Sequence, residues 1–353
     1  MIYNKYTLKE LATIRYGKNQ KNVVSSDGSF PIYGTGGLMG YASKYLYDKP
    51  SVLIGRKGTI DKVRYVTHPF WTVDTLFYTE INDAIVIPHF LYYVLSLLDM
   101  RKYNEGTSIP SLRTETLNRL ELYIPPLSEQ KKILSFIEPI EEKIDINSRI
   151  NRNLSEQAAA IYKAWFINFE MNNGICPDDW TDGVLGDIAE IASGKRPPMK
   201  QNNKTDDVCI PLVGAASIMG YTNTVLYDSK ILVTGRVGTH GVIQRFNQGC
   251  WPSDNTLVIT TDRYEFVNQI LLGVDYKSMN RGSTQPLITQ GDLKKIEIIL
   301  PNDAALDEFE NLAGGLMSQY EKNVKENAKL SELRDSLLPK LMSGELEVSE
   351  IDF

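Results

Sequence analysis

The chain repeats itself once. Gly17-Lys18 matches Gly194-Lys195 at an offset of 177. Pro31, Gly40-Tyr41, Gly55-Arg56, Gly58-Thr59, Trp71 and Asp74 match Pro211, Gly220-Tyr221, Gly235-Arg236, Gly238-Thr239, Trp251 and Asp254, all at an offset of 180. Gly106, Ser108, Pro110 and Pro125 then meet Gly282, Thr284, Pro286 and Pro301 at 176. The order never breaks while small insertions change the offset, which is the mark of a duplication. A duplicated chain must be read as two copies of one unit before any fold is assigned.

Each copy opens with a globular part. "FPIYG", "SVLIG", "KVRYV" and "TLFYT" recur as "KILVTG", "GVIQRF" and "NTLVIT". β-branched and aromatic runs of this length, separated by glycine-bearing turns, predict short strands in a compact, mostly β module. Helices are expected near Pro88–Asp99, with Pro88 in the first turn, and near Tyr264–Leu272.

Each copy closes with a long helix. Ile133, Ile137, Ile140, Ile144, Asn147, Asn151, Leu154, Ala158, Ile161 and Trp165 step by four and three, a heptad seam. Phe309, Ala313, Leu316, Tyr320, Asn323, Asn327, Leu330, Arg334, Leu337 and Leu341 repeat it, each 176 later. Both seams carry asparagine at the same two slots. Asparagine in such a seam costs stability but fixes register, because a slipped Asn faces an apolar side chain. The two helices are therefore expected to pair, with Asn147, Asn151, Asn323 and Asn327 setting the register. The alternative is that each helix packs on its own globular part.

The start of the first helix is abrupt. In "IPPLSEQKKIL", Ile124–Leu134, Pro125-Pro126 can neither join a sheet interior nor continue a helix, so they close the β module. Ser128 is expected to cap the helix, with Glu129 near its positive end. Lys131 stands where a capping box needs Glu or Gln. Asn302 or Asp303 takes the capping role in the second copy. A helix from Ser128 to about Phe169 would run about 60 Å.

Composition excludes several classes. Hydrophobic residues are 42% and charged residues 23% of 353, as in a globular protein. The longest apolar run, Ala84–Leu98, is broken by Pro88-His89 and is shorter than the ~20 residues of a membrane span. The N-terminus shows no secretory pattern. Cys176, Cys209 and Cys250 lack ligand or disulfide spacing and suit a reducing cytoplasm, where the protein is expected. No dinucleotide or phosphate-loop fingerprint, methyltransferase motif or nuclease carboxylate–lysine cluster occurs. "CPDDW", Cys176–Trp180, reads as a linker. The net charge of −6 is unevenly spread. Acids gather on the helices and in the tail, at Glu345, Glu347, Glu350 and Asp352, while cations gather in loops of the globular parts.

A duplicated reader on an antiparallel pair of stems would acquire pseudo-twofold symmetry and suit two DNA half-sites. At this point the residues carry a resemblance. "IPPLSEQKKIL", "AIYKAWFINFE" and "LRDSLLPKLMSGELEV" resemble the specificity subunit of type I restriction–modification enzymes; "VLIGRKGTIDKV", "ILVTGRVGTHGVI", "EGTSIPSL" and "RGSTQPLI" resemble its target recognition domains. The resemblance runs from about Leu8 to Val348. It implies an α+β chain in which two similar, mostly β target recognition domains with a few helices are joined by two long helices in an antiparallel coiled coil. The segments are then 1–126 and 171–302 for the domains, 127–170 and 303–345 for the helices, and 346–353 for an acidic tail.

The resemblance further implies a non-catalytic reader of double-stranded DNA with an asymmetric, bipartite site and a gap set by the helices. Two modification subunits would methylate adenine with S-adenosylmethionine. Restriction subunits would use ATP and magnesium. No cofactor is expected in this chain and no membrane is involved. A self-contained methyltransferase or nuclease is opposed by the missing motifs. A scaffold that uses the coiled coil only to join proteins stays open. Two places depart from the family: Asp61, where glycine is usual and where Gly241 stands in the second copy, and "LPNDAALDEFE", which replaces a second "SEQ".

Candidate DNA contacts sit in the loops. Lys18, Asn19 and Lys21 follow the first short element; Lys195, Arg196, Lys200, Gln201, Asn202 and Lys204 stand at the matching place. Cations suit phosphate and amides suit adenine edges, although solvated loops often have this composition. In Gly55-Arg56-Lys57-Gly58-Thr59 the glycines read as a tight turn. Arg56 and Arg236 can clamp phosphate or read guanine, or instead pair with Asp74 and Asp254. Arg101, Lys102, Thr107 and Ser108, with Arg281, Ser283, Thr284 and Gln285, complete the set. Tyr41 and Tyr221 read as core residues.

Overall fold

A computed structural model describes residues 3–279 and 287–347. The chain divides into two compact units: one holds the chain up to Ile146 and the segment from Glu326 onward, the other Asn147–Lys325.

In the first unit the strands are β1 (Asn4–Thr7), β2 (Ala12–Tyr16), β3 (Phe30–Gly34), β4 (Gly37–Ala42), β5 (Ser51–Gly55), β6 (Val63–Val66), β7 (Trp71–Thr72), β8 (Leu76–Ile81) and β9 (Glu121–Ile124). They form a four-stranded antiparallel sheet in the order β2-β8-β5-β6, a three-stranded sheet β4-β3-β7 and the pair β1-β9. In the three-stranded sheet β3 and β7 run parallel. Helices α1 (Leu8–Leu11), α2 (Pro88–Ser96) and α3 (Thr114–Asn118) complete this head. The sequence-predicted strands appear as β3, β5, β6 and β8, and the helix as α2. The four-residue α1 and five-residue α3 were not anticipated, being too short to show a helical period.

The largest core of this unit is shared by the head and the helical stem. The chain leaves β9 through Pro125-Pro126 into α4 (Leu127–Tyr162). The helix begins one residue before Ser128, so Ser128 lies inside its first turn and is not the cap: the N–H groups of Glu129 and Gln130 both bond the Pro126 carbonyl. The residue that secures the start is Gln130, which is fully buried. Its Nε2 donates to the carbonyls of Ile85 (2.9 Å) and Pro125 (2.8 Å), while its Oε1 accepts from the N–H of Ile87 (2.8 Å). Ile87 caps α2, so one side chain ties the stem to the head's helix. Ile133 and Ile137 of α4 join Leu338, Leu341 and Met342 of the closing helix, together with Leu8, Phe90 and Tyr93 of the head, in one buried cluster.

The second unit repeats the topology. Its strands are β10 (Thr181–Val184), β11 (Glu190–Ser193), β12 (Ile210–Val213), β13 (Ile218–Thr222), β14 (Ile231–Gly235), β15 (Gln244–Phe246), β16 (Trp251–Pro252), β17 (Thr256–Thr260) and β18 (Glu297–Leu300). The sheets are β11-β17-β14-β15, β13-β12-β16 and β10-β18. Its helices are α5 (Tyr264–Gly273) and α6 (Gln290–Lys294), with the part of α7 (Asp303–Ser343) up to Lys325. Asn302 caps α7, accepting from the Ala305 N–H at 2.8 Å, and its amide donates to Asp179 of the "CPDDW" segment at 2.7 Å. Leu306, buried, stands where Gln130 stands in the first copy. The N–H equivalent to that of Ile87 belongs to Arg263 and is met locally by the Thr261 hydroxyl at 3.0 Å. The absence of a second "SEQ" therefore has a physical complement.

Segments of the two long helices pair within each unit, in opposite directions. In the first unit Lys143 pairs with Glu326 (3.5 Å), Asn327 Nδ2 donates to the Ile144 carbonyl (3.2 Å), and Glu141 meets Arg334 (3.8 Å). In the second, Asn323 Nδ2 donates to Asn151 Oδ1 (2.8 Å) and Asn151 Nδ2 to the Tyr320 carbonyl (3.2 Å). Asn147 is also buried. The helices thus pair and pack on the heads at once; the two arrangements open from sequence were not exclusive. α4 ends at Tyr162, earlier than expected, because Lys163–Ile167 forms a π-helical turn in which the Asn168 N–H bonds the Lys163 carbonyl. That turn seats Trp165 and Phe166 against Phe309, with Phe166 also on Phe266.

Candidate nucleic-acid interface

The same small constellation occurs in both heads, built on glycine. An added Cβ at Gly17 would lie 2.0 Å from the Val73 carbonyl oxygen, and at Gly194 2.2 Å from that of Ser253, so only glycine fits. The following lysine is then locked by its backbone. The Lys18 N–H bonds the Thr72 carbonyl (2.8 Å) and the Trp71 indole N–H donates to the Lys18 carbonyl (2.9 Å). Lys195 bonds Pro252 (3.0 Å) and receives the Trp251 indole (2.8 Å). Both lysine side chains are exposed. The recurrent tryptophans hold the lysine loops in place.

Beside this loop lies the glycine turn. Gly55 and Gly235 approach the carbonyls of Thr59 and Thr239 too closely for a side chain, and Gly58 and Gly238 have φ of +88° and +84°. Arg56 spreads over the Tyr16 ring, 5.1 Å from its centroid, and Nη1 donates to the Asp74 backbone carbonyl at 2.7 Å. The expected pairing with the Asp74 carboxylate is thus replaced by a bond to its carbonyl. The backbone of Arg236 holds the equivalent place, donating to the Asn255 carbonyl and accepting from the Ile288 N–H. Lys57 is exposed and bridges Ser111, so the turn carries the loop of Thr107 and Ser108, both exposed. Asn104 Oδ1 closes that loop, accepting from the N–H groups of Gly106 and Ser111, each at 2.9 Å.

Lys18, Arg56, Lys57, Thr107 and Ser108 thereby come together on one face of the first head. Asn19 spends its side-chain oxygen on the Lys21 N–H (2.9 Å), an Asx turn that shapes the loop, and both residues are exposed. Arg101 and the exposed Lys102 lie on a 3-10 turn, Met100–Tyr103, and Arg101 pairs with Asp61. The departure at Asp61 thus has a partner, and Arg101 is less free for phosphate than its sequence implied. In the second head Arg196, Lys200, Asn202 and Lys204 are exposed; Gln201 is tied by two backbone bonds to Tyr221, along β13. Arg281, Ser283, Thr284 and Gln285 lie outside the described residues. Tyr41 is 45% exposed and is not a core residue. It sits on β4 just past the register shift that sets Ile32 opposite Gly40 and Tyr33 opposite Leu38, and its ring stays uncovered. Among the described residues no group of His, Cys, Asp and Glu could hold a metal ion, and no helix is long and apolar enough to cross a membrane.

Arg64 and Gln244, which the sequence reading did not single out, also share the 180 offset and border the hairpin glycines. An ideal Cβ on Gly37 would lie 3.3 Å from the Arg64 guanidinium, and Gln244 Nε2 donates to the Gly214 carbonyl at 2.8 Å. Their shared offset was the available signal; the change of residue type hid it.

The family described as "Type I restriction modification DNA specificity domain" matches twice, over residues 3–156 and 177–330. The chain belongs to that family. Its two copies are two DNA specificity domains, as the internal repeat requires. It is 25% identical over 346 residues to the type I restriction enzyme MjaIX specificity subunit of Methanocaldococcus jannaschii, covering 87% of this chain and 80% of that one. It is 22% identical over 364 residues to the HindI specificity subunit of Haemophilus influenzae, covering 76% and 79%. The fold is that of the type I restriction–modification S subunit from M. genitalium, at a TM-score of 0.67 and 17% identity, over 97% of this chain and 96% of that one.

Proposed function

We propose that this specificity subunit reads an asymmetric, bipartite DNA site, one half-site through each head, with a gap of unread base pairs fixed by the paired helices. The observation that carries the reading is the twofold occurrence of an anchored glycine–lysine loop beside a glycine-shaped arginine turn. Cations on both loops suit phosphate, and an arginine held by its own backbone suits phosphate or guanine. The residues around the two constellations differ, so the half-sites differ.

The subunit itself performs no chemistry. Two modification subunits dock on the helices and transfer a methyl group from S-adenosylmethionine to adenine N6; restriction subunits bring ATP and magnesium. The complex works in the cytoplasm. With a net charge of −6 the chain grips DNA modestly alone, and the partners complete the hold. Asn151 and Asn323 support the spacer reading, because a seam with buried asparagine pairs resists slippage.

The test is to map N6-methyladenine in a genome expressing the full modification complex, then repeat it after deleting seven residues from each long helix. The expected result is one bipartite motif whose gap changes while both half-sites persist. An unchanged gap refutes the spacer role, and no bipartite motif refutes the reader.

A further inference from the structure

Each head exposes two consecutive apolar residues where a water-soluble hairpin has no need of them. Leu38 and Met39 on β4 are 54% and 60% exposed; Ile218 and Met219 on β13 are 47% and 39% exposed. They are the same two positions, 180 apart. Single exposed apolar residues need no explanation, but a duplicated pair does.

The backbone explains their presentation. Both hairpins carry a register shift at the same point, between Ile32 and Tyr33 and between Leu212 and Val213. A bulge there breaks the strict alternation of faces and re-aims the side chains that follow. Both methionines lie over a glycine across the hairpin: an ideal Cβ on Gly34 or Gly214 would stand 2.3 or 3.2 Å from the methionine sulfur. The tip is continuous with the cationic turn. A Cβ on Gly58 would meet the Thr35 hydroxyl at 3.8 Å, and one on Gly235 the Ala215 methyl at 2.9 Å.

We propose that these pairs are base-reading elements, each touching the 5-methyl groups of thymines in the major groove of its own half-site. The inference rests on the DNA-reading function proposed above. Thymine is the one base that offers an apolar group in that groove, and an aliphatic side chain is its complement. The basic turn beside the hairpin would hold the backbone while the pair reads the edge. A protein partner would not require the hairpin tip to adjoin the arginine turn in both heads, at Thr35 beside Gly58 and at Ala215 beside Gly235.

The experiment uses the assembled complex with its modification subunits, on duplexes carrying the motif mapped as above. Uracil replaces thymine one position at a time, removing only the methyl group. At one or more positions in each half-site the wild-type complex should bind roughly fourfold more weakly, the equivalent of one buried methyl group. L38S/M39S should be insensitive to uracil in one half-site and normal in the other, and I218S/M219S the reverse. If wild type is indifferent to uracil throughout, the proposal is overturned while the bipartite motif still stands. If the variants instead lose modification subunits and keep their uracil response, the patch is a protein-docking surface and the proposal is wrong. The uracil arm needs no variant, so misfolding cannot hide the answer. Failure to find any motif would overturn the parent reading as well.

Discussion

Asn323 donates its side-chain amide to the side-chain carbonyl of Asn151 at 2.8 Å, with both residues at most 8% exposed. Replacing either one by leucine leaves the other amide buried opposite an apolar group, at a cost of about 1–3 kcal/mol. Changing both removes the mismatch. N151L and N323L should each lower stability, and the double variant should recover most of the loss. Chemical denaturation checks this; additive losses would show that the pair does not act as a unit.

Gln130 predicts a different failure. Q130L keeps the volume but leaves the Ile87 N–H without its acceptor, as well as two carbonyls without donors. A loss of about 2–3 kcal/mol is expected. L306Q in the second unit should gain nothing, because Thr261 already serves the equivalent N–H. Thermal unfolding of the two variants compares them directly.

The heads hold their stems by different chemistry at one shared place. In the first unit His89 stacks on Tyr65, Tyr92 and Tyr93 and bonds Glu138 (2.8 Å), with Glu141 at 3.5 Å. Tyr93 also donates to Glu141, and Arg334 approaches it from α7. In the second, offsets of 180 and 176 put Arg245 and Glu265 where Tyr65 and His89 stand. They form a bidentate pair at 2.7 Å, extended to Glu321. Burial lowers the His89 pKa, but the bonds and charges of Glu141 and Glu138 outweigh it, and the net shift is upward from 6.5.

A raised histidine pKa gives stability that is full below about 6.5 and is lost as pH rises through the folded value. Burial raises the Glu141 pKa, yet bonds from His89 and Tyr93 carry it below 4.5, so its contribution fades as the solution acidifies through that lower value. H89Q should therefore cost about 1 kcal/mol at pH 6, a modest figure because Glu138 is half exposed and screened, and much less at pH 9, once the pH has risen through the folded His89 value. Denaturation at the two pH values measures it; an equal loss at both would contradict a charged His89.

Trp71 links packing to the lysine loop. W71F keeps an aromatic ring and loses the indole bond to the Lys18 carbonyl. Stability should fall by about 1 kcal/mol. The proposed consequence is weaker binding to one half-site, with the other unaffected. W251F should do the same for the opposite half-site. Gel-shift titration against single half-site changes resolves the two.

Much of this was legible in the sequence because it repeats. Gly55, Trp71 and Arg56 announced themselves by recurring, and the asparagine slots disclosed the seam. Gln130 was legible only in part: three residues before Ile133 and seven before Ile137, it falls on the seam face, but nothing in the sequence places the backbone groups of Ile85, Ile87 and Pro125 around its amide. Arg64 and Gln244, or His89 and Glu265, were hidden because the copies solved one local problem with different side chains. Ser128 was misread because the Pro126 carbonyl already serves the first free N–H groups. Tyr41 was misread because a recurrent Gly-Tyr pair looks like packing until the bulge beside it is seen.

The most direct test of one head reading one half-site is to exchange the exposed loop Lys195–Lys204 and map methylated adenines with the full complex. The account predicts that a single half of the motif changes, with the other half and the gap retained. A change in both halves together, or none in either, would contradict it.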